Sequence, residues 1–332
     1  MNELRRNVGK EEVEAKKALR RSSFEQYRFA EKRSWLRVAG SAAKRRMLRK
    51  FAAAVVALAQ SKPKGRAGIL MYHRVAEISA NAVKPTWNVT PGKLRFQLEG
   101  LRQLGWEPIP LRVLLGASAT NETLPPRSFV VTFDDGYENF YTAARPILHK
   151  LNIPATVFLA TAYVNSPEPF PFDGWAEAGS ILVSQDSWRP MTLEQCKELT
   201  RDPLIEVGAH THTHRNFRGD PRGLQQDLRD CLEFLQLQLA VKVAAFAFPF
   251  GIADPDLFDV ARRAGVLCAL TTDEKLVNPQ SEPFGWSRFG VAEYDTPSTL
   301  AACLGGLYSD LNSVVRRFSP WRPKSREWTF TI

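Results

Sequence analysis

Two short stretches of this 332-residue chain carry residue types that can do chemistry. The first, residues 128–136, is an apolar run that ends on Asp134, Asp135 and Gly136. Its β-branched and aromatic residues are typical of a short buried strand. Parallel α/β folds place their catalytic groups at the carboxyl ends of such strands. On a continuing strand the two carboxylates would point to opposite faces, whereas a turn at Gly136 would let both reach one cleft.

The second stretch is rich in histidine. Three of the five histidines in the chain, His210, His212 and His214, follow the strand-like segment 205–209. Imidazole and carboxylate groups are the usual ligands of a catalytic zinc ion, which keeps one position open for water. If the chain turns helical after His210, then His210 and His214 share one face; if it stays extended, all three histidines line one side. The two stretches together predict a metal site, with a histidine-rich surface loop as the alternative.

The net charge of +10 is concentrated at the N-terminus. Residues 1–60 hold 16 of the 45 Lys+Arg and 6 of the 35 Asp+Glu, which leaves 29 of each sign for residues 61–332. Binding to a phosphate backbone needs a basic face. A formally neutral body therefore argues against nucleic acid as a substrate.

Residues 1–60 are predicted to form a basic helical extension, because they are rich in Arg, Lys, Glu and Ala and contain no proline. Basic residues 44–50 precede the nine apolar residues 51–59, too few to span a bilayer, which needs about 20. The extension fits a solvated helix, a basic helix on an anionic membrane surface, or a signal segment ending near Ala59 if translation starts at Met47. We expect a cytoplasmic or inner-membrane-associated protein, with export as the alternative under that later start.

The body of the chain alternates segments with strand-like and helix-like patterns. This alternation implies a parallel sheet, and motifs at successive strand ends favour a barrel over an open sheet. We predict a helical extension, a polar linker, a barrel domain and a tail at residues 1–60, 61–66, 67–305 and 306–332. The predicted strands lie at 68–72, 107–111, 129–133, 155–160, 205–209, 244–248, 267–271 and 286–291, the predicted helices at 91–104, 141–151, 192–200, 222–239 and 254–264, and a predicted loop at 116–127.

Residues 163–190 form a long insertion without periodicity, in which prolines alternate with Phe170, Phe172, Trp175 and Trp188. Long segments of this kind inside a compact domain are usually functional or disordered. Aromatic rings near a cleft could stack on sugar rings. Local packing of the insertion is the alternative.

These stretches resemble motifs of the polysaccharide deacetylases, the NodB-homology group also called carbohydrate esterase family 4. Residues 132–136, Thr-Phe-Asp-Asp-Gly, resemble the first motif of that family, 210–214 the second and 246–251 the third, while 69–75 resemble its opening strand. The resemblance covers about residues 67–292. It implies an α/β fold built as an incomplete (β/α) barrel, here of about seven strands.

The resemblance also implies a role for each motif residue. Asp135, His210 and His214 correspond to metal ligands, and Asp134 corresponds to the catalytic base. A divalent ion at such a site, most simply Zn²⁺, lowers the pKa of bound water and polarises an amide carbonyl. The backbone N–H of Phe250, where the family usually has Tyr, is expected to stabilise the oxyanion.

The chain departs from the family pattern in two places. The third motif often carries an arginine that pairs with the base, but the matching residue here is Ala247. Arg288 or Arg74 could supply that charge from another strand. The general acid is often a late histidine, yet none follows His214. His73, at the end of the first strand, is the candidate proton donor, with a structural histidine bonded to backbone as the alternative.

We therefore predict a metal-dependent hydrolase that removes N-acetyl groups from an amino sugar in a polysaccharide, an oligosaccharide or a lipid-linked glycan. A deformylase or an O-deacetylase would use the same chemistry. A non-catalytic carbohydrate-binding protein on the same scaffold is an alternative of a different class. The predicted partner is a glycan, with membrane contact through the basic arm and no nucleic acid.

Overall fold

The computed structural model describes residues 43–54, 65–78, 87–173 and 183–318, with the backbone alone for 314–318. Several sequence predictions therefore lie outside the described residues. They concern residues 1–42, the signal-like segment ending at Ala59, linker residues 61–64, Trp175 and the tail beyond residue 318.

A nearly closed sheet of parallel strands forms the centre of the fold. Its strands follow the order β10-β9-β8-β7-β6-β5-β1-β11, β4 also pairs with β5, and β2 pairs with β3 in a separate sheet. This architecture confirms the predicted incomplete (β/α) barrel. The strands are β1 (Gly68–Tyr72), β2 (Arg74–Val75), β3 (Asn88–Val89), β4 (Glu107–Pro108), β5 (Ser128–Phe133), β6 (Ala155–Leu159), β7 (Ile205–Ala209), β8 (Ala245–Ala247), β9 (Cys268–Thr271), β10 (Phe284–Ser287) and β11 (Phe289–Gly290).

One segment of chain meets both edges of this sheet. β10 pairs with β9, whereas β11 pairs with β1 through Phe289 opposite Leu70 and Gly290 opposite Met71. Only Arg288 separates the two strands. The single strand predicted over 286–291 is therefore two half-strands, because the chain changes partner at Arg288.

Nine α-helices are described, and most of them pack with strand residues in the main core. Side chains of Thr90, Thr192, Asp220, Asp254 and Thr296 accept hydrogen bonds from first-turn backbone N–H groups of the helices that follow them. The helices are α1 (residues 43–54), α2 (Pro91–Gln103), α3 (Leu111–Thr120), α4 (Arg145–Leu151), α5 (Leu193–Thr200), α6 (Pro221–Leu239), α7 (Pro255–Arg263), α8 (Pro297–Leu304) and α9 (Leu307–Phe318).

Helix α3 is one of three helices that the sequence prediction missed, the others being α8 and α9, the latter within the predicted tail. A strand over 107–111 and a loop over 116–127 were expected, but the strand ends at Pro108 and a helix begins at Leu111. Leu111, Leu114 and Ala117 are spaced by three residues, and they pack with inward-facing strand residues in one buried cluster. That burial stabilises a helix whose Gly116 indicated a loop.

Helix α1 belongs to the predicted extension, yet it packs on the barrel. Ala52 is fully buried in the main core, and Leu48 and Ala53 pack against that core. Within the described ranges, no helix combines the length and the apolar character needed to cross a bilayer.

Gly208 tests how tightly the barrel interior is packed. A Cβ at this position would lie 2.4 Å from the ring of Phe158 and 3.2 Å from the carbonyl oxygen of Ala245. We expect Gly208→Ala to lower the free energy of unfolding by about 1–3 kcal/mol, because the interior has no room for another methyl group. Urea denaturation followed by circular dichroism measures this change.

Gly116→Ala is the matched control. Gly116 is exposed within α3, and an added Cβ would meet no atom within 4 Å. The same substitution is therefore expected to raise the free energy of unfolding by about 0.5–1 kcal/mol. Equal effects at the two glycines would contradict the packing described for the interior.

Candidate metal centre and active site

All seven candidate site residues lie just beyond the carboxyl ends of barrel strands, where the chemistry of a barrel is expected. Two follow β5, two follow β7, and one each follows β1, β8 and β10. Each of them contacts at least one other member of the group. The seven are His73, Asp134, Asp135, His210, His214, Phe250 and Arg288.

Asp135, His210 and His214 form a buried group of metal-ligand type. Oδ1 of Asp135 lies 3.4 Å from Nε2 of His210 and 3.2 Å from Nε2 of His214. Ligands of a tetrahedral zinc ion, with bonds of about 2.0–2.1 Å, are separated by roughly 3.4 Å. Oδ1 of Asp135 is also buried and accepts no hydrogen bond from the described residues. The three side chains therefore fit a divalent cation.

Hydrogen bonding and charge prepare these groups for a cation. Nδ1 of His210 donates to the carbonyl oxygen of Ala247 at 2.7 Å, which leaves Nε2 facing Asp135. Burial alone would raise the pKa of Asp135, but the two imidazoles hold that pKa well below its usual value. The carboxyl group is thus ionised at neutral pH, as metal binding requires.

Positive φ angles in the backbone orient the candidate metal ligands. Asp135 has a φ of 72° and Gly136 a φ of 87°, so the chain turns at once after β5 and Asp135 reaches the cleft. In the second motif neither expected conformation occurs, because Thr211 and His214 have φ values of 65° and 54°. The ring of His212 therefore leaves the group, and its Nδ1 lies 2.9 Å from Oγ1 of Thr161.

Two side chains hold the histidine loop in this shape. Oγ1 of Thr211 accepts a hydrogen bond from the backbone N–H of His214 at 3.0 Å. Asp227 of α6 accepts bonds from the backbone N–H groups of His212 at 2.6 Å and Thr213 at 3.1 Å. Sequence analysis missed Asp227, although an acid within the apolar stripe of a helix was an available signal.

Asp134 is paired with Arg288. The guanidinium donates to Oδ1 at 2.6 Å and to Oδ2 at 2.8 Å, and both side chains are almost completely buried. Burial would raise the pKa of Asp134, but Arg288, followed by His210 and His73, holds the pKa below its usual value. Arg288 therefore supplies the positive charge that is missing from the third motif.

The other arginine that was considered, Arg74, points elsewhere. Its guanidinium pairs with Asp173 of the insertion, its Nε donates to the carbonyl oxygen of Ser187 at 2.7 Å, and it lies over the ring of Tyr137. Arg74 thus fastens the insertion to β2 rather than facing Asp134.

The insertion also forms one wall of the site. Phe170 and Phe172 are buried and pack with Tyr137 and Tyr163, so local packing accounts for these two rings. Phe172 additionally stacks on His214, with ring centroids 3.9 Å apart. Phe172 is thus a contact of a candidate ligand that the sequence pattern did not indicate.

Phe250 lies on another side of His214. Its ring is 45% exposed and meets the ring of His214 edge-on, with centroids 4.9 Å apart. Phe250 has a φ of 59° within the turn Pro249–Gly251 that follows β8. The turn brings the ring of Phe250 against a candidate metal ligand.

His73 lies beside the second carboxylate of the site, Asp134. Its Nε2 lies 3.9 Å from Oδ2 of Asp134, and its ring stacks on Trp87 with centroids 5.4 Å apart. Nδ1 is buried without a hydrogen bond among the described residues. Burial lowers the pKa of His73, although Asp135 and Asp134 oppose that effect. The ring is thus neutral at pH 7, and the carboxylate of Asp134 lies close to its Nε2.

The fold and these contacts define a (β/α)-barrel protein with a candidate metal centre at the carboxyl ends of its strands. Residues 121–269 match the family model described as polysaccharide deacetylase. Residues 121–269 are therefore similar to polysaccharide deacetylase domains.

Similar proteins are known from bacteria. The chain is 24% identical over 237 residues to the poly-β-1,6-N-acetyl-D-glucosamine N-deacetylase of Escherichia coli K12, covering 63% of this chain and 34% of that protein. It thus spans about a third of that relative. It is 24% identical over 234 residues to the enzyme of the same name from Staphylococcus aureus MRSA252, covering 65% of this chain and 75% of that protein.

Solved structures agree with this fold. IcaB from Ammonifex degensii is similar with a TM-score of 0.60 and 26% identity, over 74% of this chain and 99% of that chain. The deacetylase PplD of Streptococcus pyogenes, solved in complex with acetate, has the same fold, with a TM-score of 0.60 and 23% identity over 73% of this chain and 99% of that one.

Removal of one imidazole tests the ligand set. We expect His214→Ala to weaken Zn²⁺ binding by more than about 100-fold. Loss of a group that only orients a ligand already lowers metal affinity by about 10- to 100-fold, and loss of the ligand itself should lower it further. Equilibrium dialysis with Zn²⁺ measures this. His212→Ala is the matched control from the same loop and should change the affinity by only a few-fold. A larger loss at position 212 than at 214 would refute the assignment.

Proposed function

We propose that this protein is a metal-dependent N-deacetylase that hydrolyses the acetamido group of N-acetylglucosamine units in a polysaccharide. The observation that carries the proposal is the convergence of Asp135, His210 and His214 on one point beside a second carboxylate, Asp134, that is paired with Arg288. The curated relatives are named for poly-β-1,6-N-acetyl-D-glucosamine. That polymer is therefore the first substrate to test.

Asp135, His210 and His214 would hold the divalent ion, with Zn²⁺ favoured by two imidazoles and one carboxylate. When bound, such an ion lowers the pKa of water and polarises the amide carbonyl. The contribution of the chain itself is to keep all three ligand atoms buried and oriented before substrate arrives.

Asp134 would act as the general base. Its carboxylate is ionised at neutral pH and lies 3.9 Å from Nε2 of His210, close to the ligands. From this position it can accept the proton of the attacking water. Arg288 fixes both carboxylate oxygens, which restricts Asp134 to one orientation.

His73 would deliver a proton to the leaving amine. Because its ring is neutral, it must first accept a proton, and protonated Asp134 at 3.9 Å is the nearest source. The main-chain N–H of Phe250 would help to stabilise the oxyanion, as the family resemblance implies. The position of Phe250 beside His214 supports that role.

Two other functions fit the same residues. A deformylase or an O-deacetylase would need only a different acyl group or bond in the same cleft. A non-catalytic carbohydrate-binding protein would leave the ionised, arginine-paired Asp134 without a purpose, since a buried charge is retained at an energetic cost. The catalytic proposal is therefore the stronger one.

Substitution of the two adjacent carboxylates, one at a time, distinguishes a role in catalysis from a role in metal binding. We expect Asp134→Asn to lower acetate release from poly-β-1,6-N-acetyl-D-glucosamine by about 10²- to 10⁴-fold, because a general base is lost, while Zn²⁺ binding is retained. Asp135→Asn should lose both. Enzymatic assay of free acetate and metal analysis of the purified proteins provide the measurements.

The assay distinguishes the alternatives by substrate. N-formylated and O-acetylated glycans, tested in parallel, identify a deformylase or an O-deacetylase. Unchanged turnover in Asp134→Asn would refute its role as base. Zn²⁺ binding without release of any acyl group by the wild type would favour the binding protein.

We also propose that α1 contacts an anionic membrane surface. Met47 and Phe51, one helical turn apart, are 69% and 60% exposed, and Lys44 and Lys50 beside them are exposed as well. A basic residue near anionic lipid contributes about 1 kcal/mol. Two lysines and two partly inserted apolar side chains therefore support reversible attachment rather than firm anchoring.

Vesicle sedimentation tests this contact. We expect Met47→Gln combined with Phe51→Gln to reduce the binding of the full chain to vesicles with anionic lipid at least several-fold, because the inserting groups are lost. Leu237→Gln on α6, which is also 69% exposed, is the control and should bind as the wild type does. Equal binding by both variants would contradict the proposal, and a change in oligomeric state would point to a second copy as the partner.

A further inference from the structure

We propose that helix α1, which lies outside the family-matched residues 121–269, completes the catalytic site through Arg49. Arg49 is a positioning residue: it braces the segment that carries Arg288 and thereby fixes Arg288 against Asp134. This inference rests on the proposed function, because its readout is turnover.

Arg49 is fully buried and bonded on several sides. Its Nη1 donates to Oδ2 of Asp295 at 2.6 Å, and its Nη2 donates to Oε1 of Glu274 at 2.9 Å and to the carbonyl oxygen of Gly290 at 3.0 Å. The guanidinium also lies over the ring of Tyr308. A buried arginine bonded to one buried and one partly buried acid is costly unless its geometry is well satisfied. These contacts therefore indicate a specific attachment of α1 to the barrel.

The segment bound by Arg49 is one of the short strands of the barrel. β11 has two residues, and it pairs with β1 over Phe289 and Gly290 alone. The carbonyl oxygen of Gly290, two residues after Arg288, accepts a bond from Arg49. The backbone N–H of Val291 donates to the carbonyl oxygen of Met71 at 2.9 Å, so the bond from Arg49 adds to this contact in holding the end of β11 in register.

Glu274 links Arg49 to Arg288 by a second route. Its side chain accepts from Arg49 and from the hydroxyl of Tyr308, the latter at 2.6 Å, while its backbone N–H donates to the carbonyl oxygen of Arg288 at 3.3 Å. Asp295, the other acid on Arg49, accepts from the backbone N–H of Ala292 at 3.0 Å. Arg49 is thus connected to the main chain at Arg288 itself and at residues 290 and 292 that follow it.

The position of Arg288 is critical because both of its terminal nitrogens donate hydrogen bonds to the carboxylate of Asp134. A bidentate pair needs the guanidinium in one plane and at one distance, and displacements of about 1 Å in catalytic geometry cost roughly 10²-fold in rate. The candidate metal ligands follow β5 and β7 instead. Loss of Arg49 should therefore slow turnover while metal affinity is unchanged.

Arg49→Lys in the full chain is the test. Lysine keeps the charge but cannot serve three acceptors with a planar fork. We expect kcat for acetate release to fall by about 10- to 100-fold, with KM and Zn²⁺ affinity within about threefold of wild type. Arg46→Lys is the matched control on the exposed side of the same helix, and it should leave kcat unchanged.

A double-mutant cycle distinguishes positioning from general stabilisation. If Arg49 acts through Arg288, then Arg49→Lys should add no further loss of kcat in an Arg288→Met background. Multiplicative losses would overturn the inference. So would a kcat within twofold of wild type in folded Arg49→Lys.

A second variant keeps the test decisive if Arg49→Lys does not fold. Glu274→Gln retains the backbone bond to Arg288 but weakens the side-chain bond to Arg49, and it should show the same fall in kcat with unchanged Zn²⁺ affinity. Full activity of Glu274→Gln would refute the inference. A wild type without acetate release would instead refute the proposed function, so the two failures are distinguishable.

Discussion

The ion pair between Asp134 and Arg288 is the interaction on which the rest of the site depends. An ionised carboxylate buried at the mouth of a barrel is strongly destabilising unless a cation is bonded to it. Arg288 provides two hydrogen bonds, and it does so from the point where the chain changes from one edge of the sheet to the other. The residue that joins the two edge strands is therefore also the residue that stabilises the buried charge.

Two neighbouring carboxylates acquire different environments through one backbone turn. Asp134 continues the inward direction of Val130 along β5 and meets Arg288. Asp135 adopts a positive φ and meets His210 and His214 instead. A positive φ costs a non-glycine residue roughly 1 kcal/mol or more. Its presence at Asp135 indicates that the surrounding contacts outweigh that cost.

Much of the framework could be predicted from local patterns. Strands β1 and β5 and helices α2 and α6 lie within a residue or two of their predicted bounds, because a short apolar run is typical of a buried strand and helical spacing of apolar residues reports the buried face of a helix. The two acids and the histidine cluster could be singled out for the same reason: their residue types and their places after strands are local properties. The missed helix α3 shows the limit, since its burial depends on strands far away in the chain.

The sequence by itself determined the barrel class, its approximate elements and the identity of the acids and histidines at the strand ends. Only the tertiary structure decided that Arg288 rather than Arg74 faces Asp134, that Phe172 stacks on His214, and that Arg49 joins α1 to the barrel. The physical reason is distance along the chain. Arg288 and Asp134 are 154 positions apart, and Arg49 and Asp295 are 246 positions apart. No local spacing encodes such pairs, which form only when the closing segment brings both edges of the sheet together.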